Sequence, residues 1–201
     1  MILPIKTIYF YLHDGLADWE AAYVLPELRN STFTLKTVAE KASAVRTMAG
    51  LRILPDAPFS QVGNEDTALL ILPGGNSWLE PTAHAGVMRL LPELHRRGVP
   101  IAAICAATLA PARLGLLNNI RHTSNGRDFL KSAGEYRGEA LYSNALAVSD
   151  GNLITASGVG AVEFAYQILT TLNVYNETKA KQWFELFKNA VSPPNEFWAS
   201  R

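Results

Sequence analysis

Three short runs of the chain carry almost no polar interruption: KTIYFYL at 6–12, TALLIL at 67–72 and VPIAAIC at 99–105. Runs of this length, rich in β-branched and aromatic residues, predict strands, and the near-continuous apolarity of the last two predicts burial on both faces. Between them the period changes. ADWEAAYVLPELR at 17–29 places Trp19, Tyr23 (or Ala22) and Leu28 on one side of a helix, with Pro26 kinking it or beginning a new turn. FTLKTVA at 33–39 alternates as a strand, and VRTMAGLRILPD at 45–56 reads as a hairpin turning at Gly50. Helices are predicted at 83–97 and 107–114, a short strand at 119–125, and two strands within 139–157 around Asp150-Gly151-Asn152. GAVEFAYQILTTL at 160–172 and NETKAKQWFELFKNAV at 176–191 are amphipathic helices.

Strands alternating with helices, with central strands lacking polar positions, predict a mostly parallel α/β sheet covered on both faces. Ligands on such sheets bind beyond the carboxyl ends of the strands, which directs attention to Asp14-Gly15 onward, Gly74-Gly75 and Cys105.

The 201 residues are 48% hydrophobic, enough for one domain with a substantial core. Eighteen basic and eighteen acidic side chains cancel, so no net field favours nucleic acid or an anionic membrane. No apolar run reaches the ~20 residues of a membrane helix, and the N-terminus lacks a signal-peptide order of charge and apolarity. A single cysteine forms no internal disulfide, as expected of a cytoplasmic protein.

That cysteine, Cys105, joins a buried strand to a small-residue helix start. A side chain at so tight a turn projects from the sheet edge, as in a nucleophile elbow, although Ala103 and Ala107 stand where that motif usually has glycine. A helix start beside the thiol would favour the thiolate; a buried inert cysteine is the alternative. Gly74 and Gly75 let backbone amides approach a ligand, as in an oxyanion hole. Asp18 and Glu20 are carboxyls within reach of a neighbouring strand end, or solvated acids near a helix start. Of the histidines, His122 on the strand after the elbow is a candidate base, His13 ends the first strand, and His84 and His95 read as solvated. No pair has metal-ligand spacing, and no metal or cofactor is expected.

LPGG at 72–75, AAIC at 102–105, the glutamate five residues after Gly15 and TASGVGAVEFA at 155–165 together resemble the ThiJ/PfpI family of the class I glutamine amidotransferase-like superfamily, over roughly residues 6–172. The resemblance implies a flavodoxin-like three-layer sandwich in one domain, 1–201, with 173–201 a C-terminal helical extension. It implies that Cys105 is the nucleophile, that Glu20 hydrogen-bonds it, and that Gly74, Gly75 and the Ala106 amide bind an oxyanion. It also implies a homodimer, and a stress-response role for some members. Where relatives carry a histidine beside the cysteine, HTSNGR puts Asn125 in that place, with His122 three residues earlier. Side chains alternate along a regular strand, so the two should not point the same way, and a full Cys105–His122–Glu20 triad needs a bulge. Asp18 and Asn125 are candidates for supporting the Cys105–Glu20 pair from beside it. The leading expectation is a cysteine-dependent hydrolase or amidase-like enzyme for a small carbonyl or amide substrate. The alternatives are a redox-sensing protein with an oxidisable Cys105, or a binding-only member of the family. The C-terminal aromatics are expected to pack on their own domain or form a subunit interface.

Overall fold

The computed structural model describes residues 6–63 and 66–199. The expectation drawn from the first five residues and the outer limits of the 1–201 domain lie outside these described residues.

Thr7–Leu12 (β1) is buried along its whole length, and its side chains alternate between two cores. Val24–Arg29 (α1) and Thr34–Ala39 (β2) follow, then the hairpin of Val45–Arg46 (β3) and Arg52–Ile53 (β4), Ala57–Pro58 (β5) and Thr67–Leu72 (β6). The second half comprises Ala85–Arg96 (α2), Ile101–Ile104 (β7), Leu109–Arg113 (α3), Arg127–Leu130 (α4), Ala147–Asp150 (β8), Leu153–Ala156 (β9), Ala161–Thr171 (α5), Glu177–Asn189 (α6) and Asn195–Ala199 (α7). The main sheet has seven strands in the order β5-β2-β1-β6-β7-β9-β8. Every pairing is parallel except β8 with β9, so the expected flavodoxin-like arrangement is present.

Tyr9, Tyr11, Leu70, Leu72 and Ile101 face the core shared with α2 and α3, whereas Ile8, Phe10, Leu69, Ile71 and Ile104 face α1, α5 and α6. Burying each such side chain contributes roughly 1.5–3 kcal/mol before chain entropy is counted. From β1 the chain winds one way through β2 to β5 and then returns to β6 on the other side of β1. That reversal opens a crevice at the carboxyl ends of β1 and β6, with β7 alongside.

Three local expectations are corrected. The helix predicted over 17–29 is a series of turns until Val24. Pro26 lacks an N–H, so it fits the first turn of a short helix and not the interior of a long one. Trp19 is consequently 51% exposed and is no part of a buried stripe. The strand expected at 119–125 reduces to one bridge, His122 with Tyr142, because the Arg121 and Thr123 N–H groups are taken by the Asp150 and Thr155 side chains in place of a strand partner. His84, expected to be solvated, is buried in a left-handed conformation just before α2.

The C-terminal helix docks on its own chain through Trp183, which is fully buried and donates its indole N–H to Glu27 at 2.9 Å. The Tyr175 hydroxyl donates to the same carboxyl, and Lys188 pairs with Glu163 at 2.7 Å. No helix among the described residues is long and apolar enough to cross a membrane.

Candidate active site

Cys105 is the first residue after β7 and has φ +58°, a left-handed conformation that non-glycine residues rarely adopt. Such strain costs on the order of 1–3 kcal/mol and persists where the surroundings over-determine it. Two glycines do so here. A Cβ on Gly74 would lie 2.6 Å from the Cys105 Cβ, and one on Gly158 would lie 2.9 Å from Sγ. The Thr108 hydroxyl is 2.6 Å both from the Cys105 carbonyl, which accepts its hydrogen bond, and from Ser124 Oγ, so the elbow is tied to the segment carrying Asn125.

Glu20 is completely buried and reaches this point from the turn after β1. Its Oε2 accepts the Gly74 N–H at 2.5 Å. Oε1 is also buried and meets no donor in good hydrogen-bond geometry; the carboxyl's remaining interaction is with the Cys105 thiol. Burial pushes Glu20 up to about 7, against the stabilising effect of the Gly74 amide and the thiol. Burial also pushes the Cys105 thiol up, Asn125 pulls it back, the Glu20 charge pushes it further up, and the Ala106 N–H opposes. The expected helix-start lowering is therefore outweighed: a half-buried sulfur beside a carboxylate holds its proton. The two groups titrate as a pair. Once Glu20 carries the proton, the repulsion vanishes and its O–H can donate to sulfur.

Asn125 stands beside the sulfur, its Nδ2 donating to Sγ at 3.2 Å and its Oδ1 accepting the Gly158 N–H at 2.9 Å. His122 does not join them. It is fully buried, with Nδ1 2.8 Å from the Ile120 carbonyl and Nε2 2.8 Å from the Tyr136 hydroxyl, and burial lowers its pKa. Only His122 is in a bridge and the chain bends at Asn125, and it is the Asn125 side chain, not the His122 ring, that reaches the sulfur.

The three amides assigned to an oxyanion divide. The Gly74 N–H is spent on Glu20, and the Ala106 N–H lies against the sulfur. The Gly75 N–H has no acceptor among the described residues. Gly75 must be glycine, since a Cβ would fall 2.5 Å from the Gly15 carbonyl oxygen and 2.7 Å from the His13 ring. Asp18 does not touch the cysteine. It accepts the Ala49 N–H at 2.8 Å, and Asp14 accepts the Arg46 N–H at 2.8 Å, so these acids hold the β3–β4 hairpin against the Glu20 turn.

Sequence reasoning missed a polar cluster on the far side of Gly75. Ser77 Oγ lies 3.0 Å from His13 Nδ1 and 3.1 Å from His84 Nε2, while His84 Nδ1 is 2.9 Å from the Tyr11 hydroxyl. His84 stacks on Trp78 at 3.8 Å. Burial lowers both histidines, His84 to about 4, helped by the His13 and Arg113 charges. A base so weak is no proton acceptor for a serine near neutral pH, and the cluster instead pins both ends of the loop 73–77. His13 Nε2 lies 3.2 Å from the Pro73 carbonyl. The two histidines lie seventy-one positions apart, so no local signal pairs them. Among the described residues no cluster of three or more His, Cys, Asp or Glu could hold a metal ion.

The family model described as the DJ-1/PfpI family matches residues 6–171. A curated relative, "Uncharacterized protease YoaZ" of Bacillus subtilis (strain 168), is 36% identical over 204 residues, covering 96% of this chain and 95% of that protein. The "Deglycase TK1284" of Thermococcus kodakarensis is 24% identical over 149 residues, covering 73% of this chain and 87% of its own length. Among solved structures, a thiJ/pfpI family protein from Bacillus anthracis superposes with a TM-score of 0.89 at 33% identity, covering 99% of this chain and 96% of its own.

Proposed function

We propose, from the premise that this chain belongs to the DJ-1/PfpI family, that it is a cysteine-dependent hydrolase of small carbonyl or amide substrates, with Cys105 as nucleophile and Glu20 as its proton partner. The observation that carries this reading is the buried Glu20 carboxyl, raised to about 7 beside a thiol held at φ +58°. A group with that pKa is balanced between taking and giving a proton at neutral pH.

The thiol proton passes to the Glu20 carboxylate as sulfur bonds to the carbonyl carbon, and the C=O electron pair moves onto oxygen. The Gly75 N–H, joined by that of Ala106 when the sulfur turns to attack, receives the oxyanion. On collapse the bond to the leaving nitrogen or oxygen breaks, and Glu20 returns the proton to it. Water then attacks the thioester, Glu20 takes its proton, and the departing sulfur recovers a proton from the carboxyl. Asn125 steadies the sulfur throughout and transfers nothing. Protease and deglycase names among the relatives agree with attack on a carbonyl or its adducts. The reading includes a cytoplasmic homodimer, consistent with one unpaired cysteine and the family resemblance. Turnover of a panel of small amides, esters and aldehydes that survives in Cys105→Ala would refute it.

One observation favours a second reading, in which Cys105 is an oxidisable sensor. Asn125, the Ala106 amide and a protonated Glu20 converge on the sulfur with no histidine base, a set that would also hold the oxygens of a sulfinate. Mild peroxide followed by mass spectrometry separates the two. Stable two-oxygen addition at Cys105 without turnover of any substrate supports sensing.

A further inference from the structure

Trp19 immediately precedes Glu20, and about half of its surface is in water, 51%. Single exposed apolar side chains are ordinary and by themselves signify nothing. This one is fixed. Its indole N–H donates to the Gly158 carbonyl at 3.0 Å. Gly158 is also the residue whose Cα abuts the Cys105 sulfur and whose N–H holds Asn125 at 2.9 Å, and Asn125 in turn donates to Sγ at 3.2 Å. Three consecutive hydrogen bonds thus run from the indole to the reacting sulfur.

With its only polar atom satisfied on Gly158, what Trp19 offers to solvent is ring surface. Val159, the next residue along, is 81% exposed. The cavity of about 480 Å³ nearby opens on His13 and His84, so this rim, and not that cavity, adjoins the thiol.

We propose that Trp19 is the specificity-determining residue of the Cys105 site: its ring face receives a flat apolar group attached to the electrophilic carbon. The favoured substrates are then aryl- or alkyl-substituted carbonyl compounds. This rests on Cys105 being the nucleophile, and its N–H bond makes Trp19 a positioning residue for Gly158 and Asn125 as well.

Two substitutions separate the ring face from the N–H. Trp19→Phe keeps a face and loses the donor; Trp19→Gln keeps a donor and loses the face. The readout is the second-order rate of Cys105 modification by N-phenylmaleimide and by iodoacetamide, followed by intact mass and each divided by the rate for glutathione. The normalised phenylmaleimide-to-iodoacetamide ratio is expected to be about 10 in the unmodified protein, the factor for ~1.4 kcal/mol of ring contact. The ratio should stay within about threefold in Trp19→Phe, where loss of the N–H slows both reagents together, and fall to near 1 in Trp19→Gln through loss of the phenylmaleimide advantage. A ratio near 1 in the unmodified protein, or one that Trp19→Gln leaves intact, overturns the proposal. So does a parallel fall for both reagents in Trp19→Gln, which would make Trp19 only a brace. A Cys105 inert to both reagents in the unmodified protein would instead defeat the nucleophile reading beneath it, and this proposal with it.

Discussion

Asn125 presents its side-chain N–H to the Cys105 sulfur at 3.2 Å, and its own carbonyl is anchored on the Gly158 amide. An amide can stabilise a thiolate but cannot take its proton, so the proposed mechanism leaves the proton chemistry to Glu20. Replacing Asn125 by Asp sets a second negative charge against the sulfur and pushes the thiol further up. Alkylation of Cys105 at neutral pH is expected to slow about tenfold in Asn125→Asp and about threefold in Asn125→Ala. An Asp variant as fast as the unmodified protein would show that this contact does not govern the thiol.

Glu20 makes stability depend on pH in a definite direction. Its folded-state pKa of about 7 lies above the ordinary 4.5, so the folded chain holds this proton more tightly than the unfolded chain. That contribution is fully present below 4.5 and is lost as pH rises through about 7. Glu20→Gln, which keeps the shape and cannot ionise, should gain in melting temperature relative to the unmodified protein between pH 5 and pH 8. Thermal unfolding at the two pH values decides it, and a constant difference contradicts the buried, proton-holding carboxyl.

The elbow leaves no room at two glycines. Gly74→Ala drives a methyl to 2.6 Å from the Cys105 Cβ and 2.8 Å from both Glu20 oxygens, all held by the surrounding packing. A loss of about 2 kcal/mol or more is expected, with the thiol displaced. Gly158→Ala meets the sulfur at 2.9 Å and should suppress reactivity more than stability, because the thiol side chain can turn away. Gly126 is extended with nothing within 4 Å of a Cβ, so Gly126→Ala is the control, expected within about 0.5 kcal/mol. Denaturant midpoints and iodoacetamide rates on the three variants test the ordering.

The histidine cluster predisposes the protein to acid. His84 titrates at about 4 when folded against an ordinary 6.5, so its contribution is intact above 6.5 and is lost as pH falls toward 4. Urea unfolding at pH 7 and pH 4.5 should show a larger acid loss in the unmodified protein than in His84→Gln. Equal losses would place the acid sensitivity elsewhere.

The buried strands and the elbow were legible because their signals are local: TALLIL, IAAI and the small residues after Cys105 state their own burial and turn. Glu20 was legible through family resemblance. The turn over 17–23 was not, since an apolar residue every three or four positions looks the same whether a helix forms or Trp19 faces water. His122 misled for a related reason. Its distance from Cys105 along the chain says nothing about Tyr136, which claims the ring from fourteen residues away. The Ser77 cluster and the Trp19–Gly158 bond join segments that meet only once the sheet is assembled, so no periodicity announces them.

The most direct test of a Cys105–Glu20 pair is the pH profile of Cys105 alkylation by iodoacetamide, from pH 5 to 9, in the unmodified protein and in Glu20→Gln. Because the thiol is held protonated beside the Glu20 carboxyl, Cys105 should react no faster than a free model thiol at pH 7, and its profile should carry a step near the Glu20 value of about 7 that Glu20→Gln displaces. A profile without that step, or one that Glu20→Gln leaves unmoved, would make Cys105 an ordinary half-buried cysteine and contradict the account.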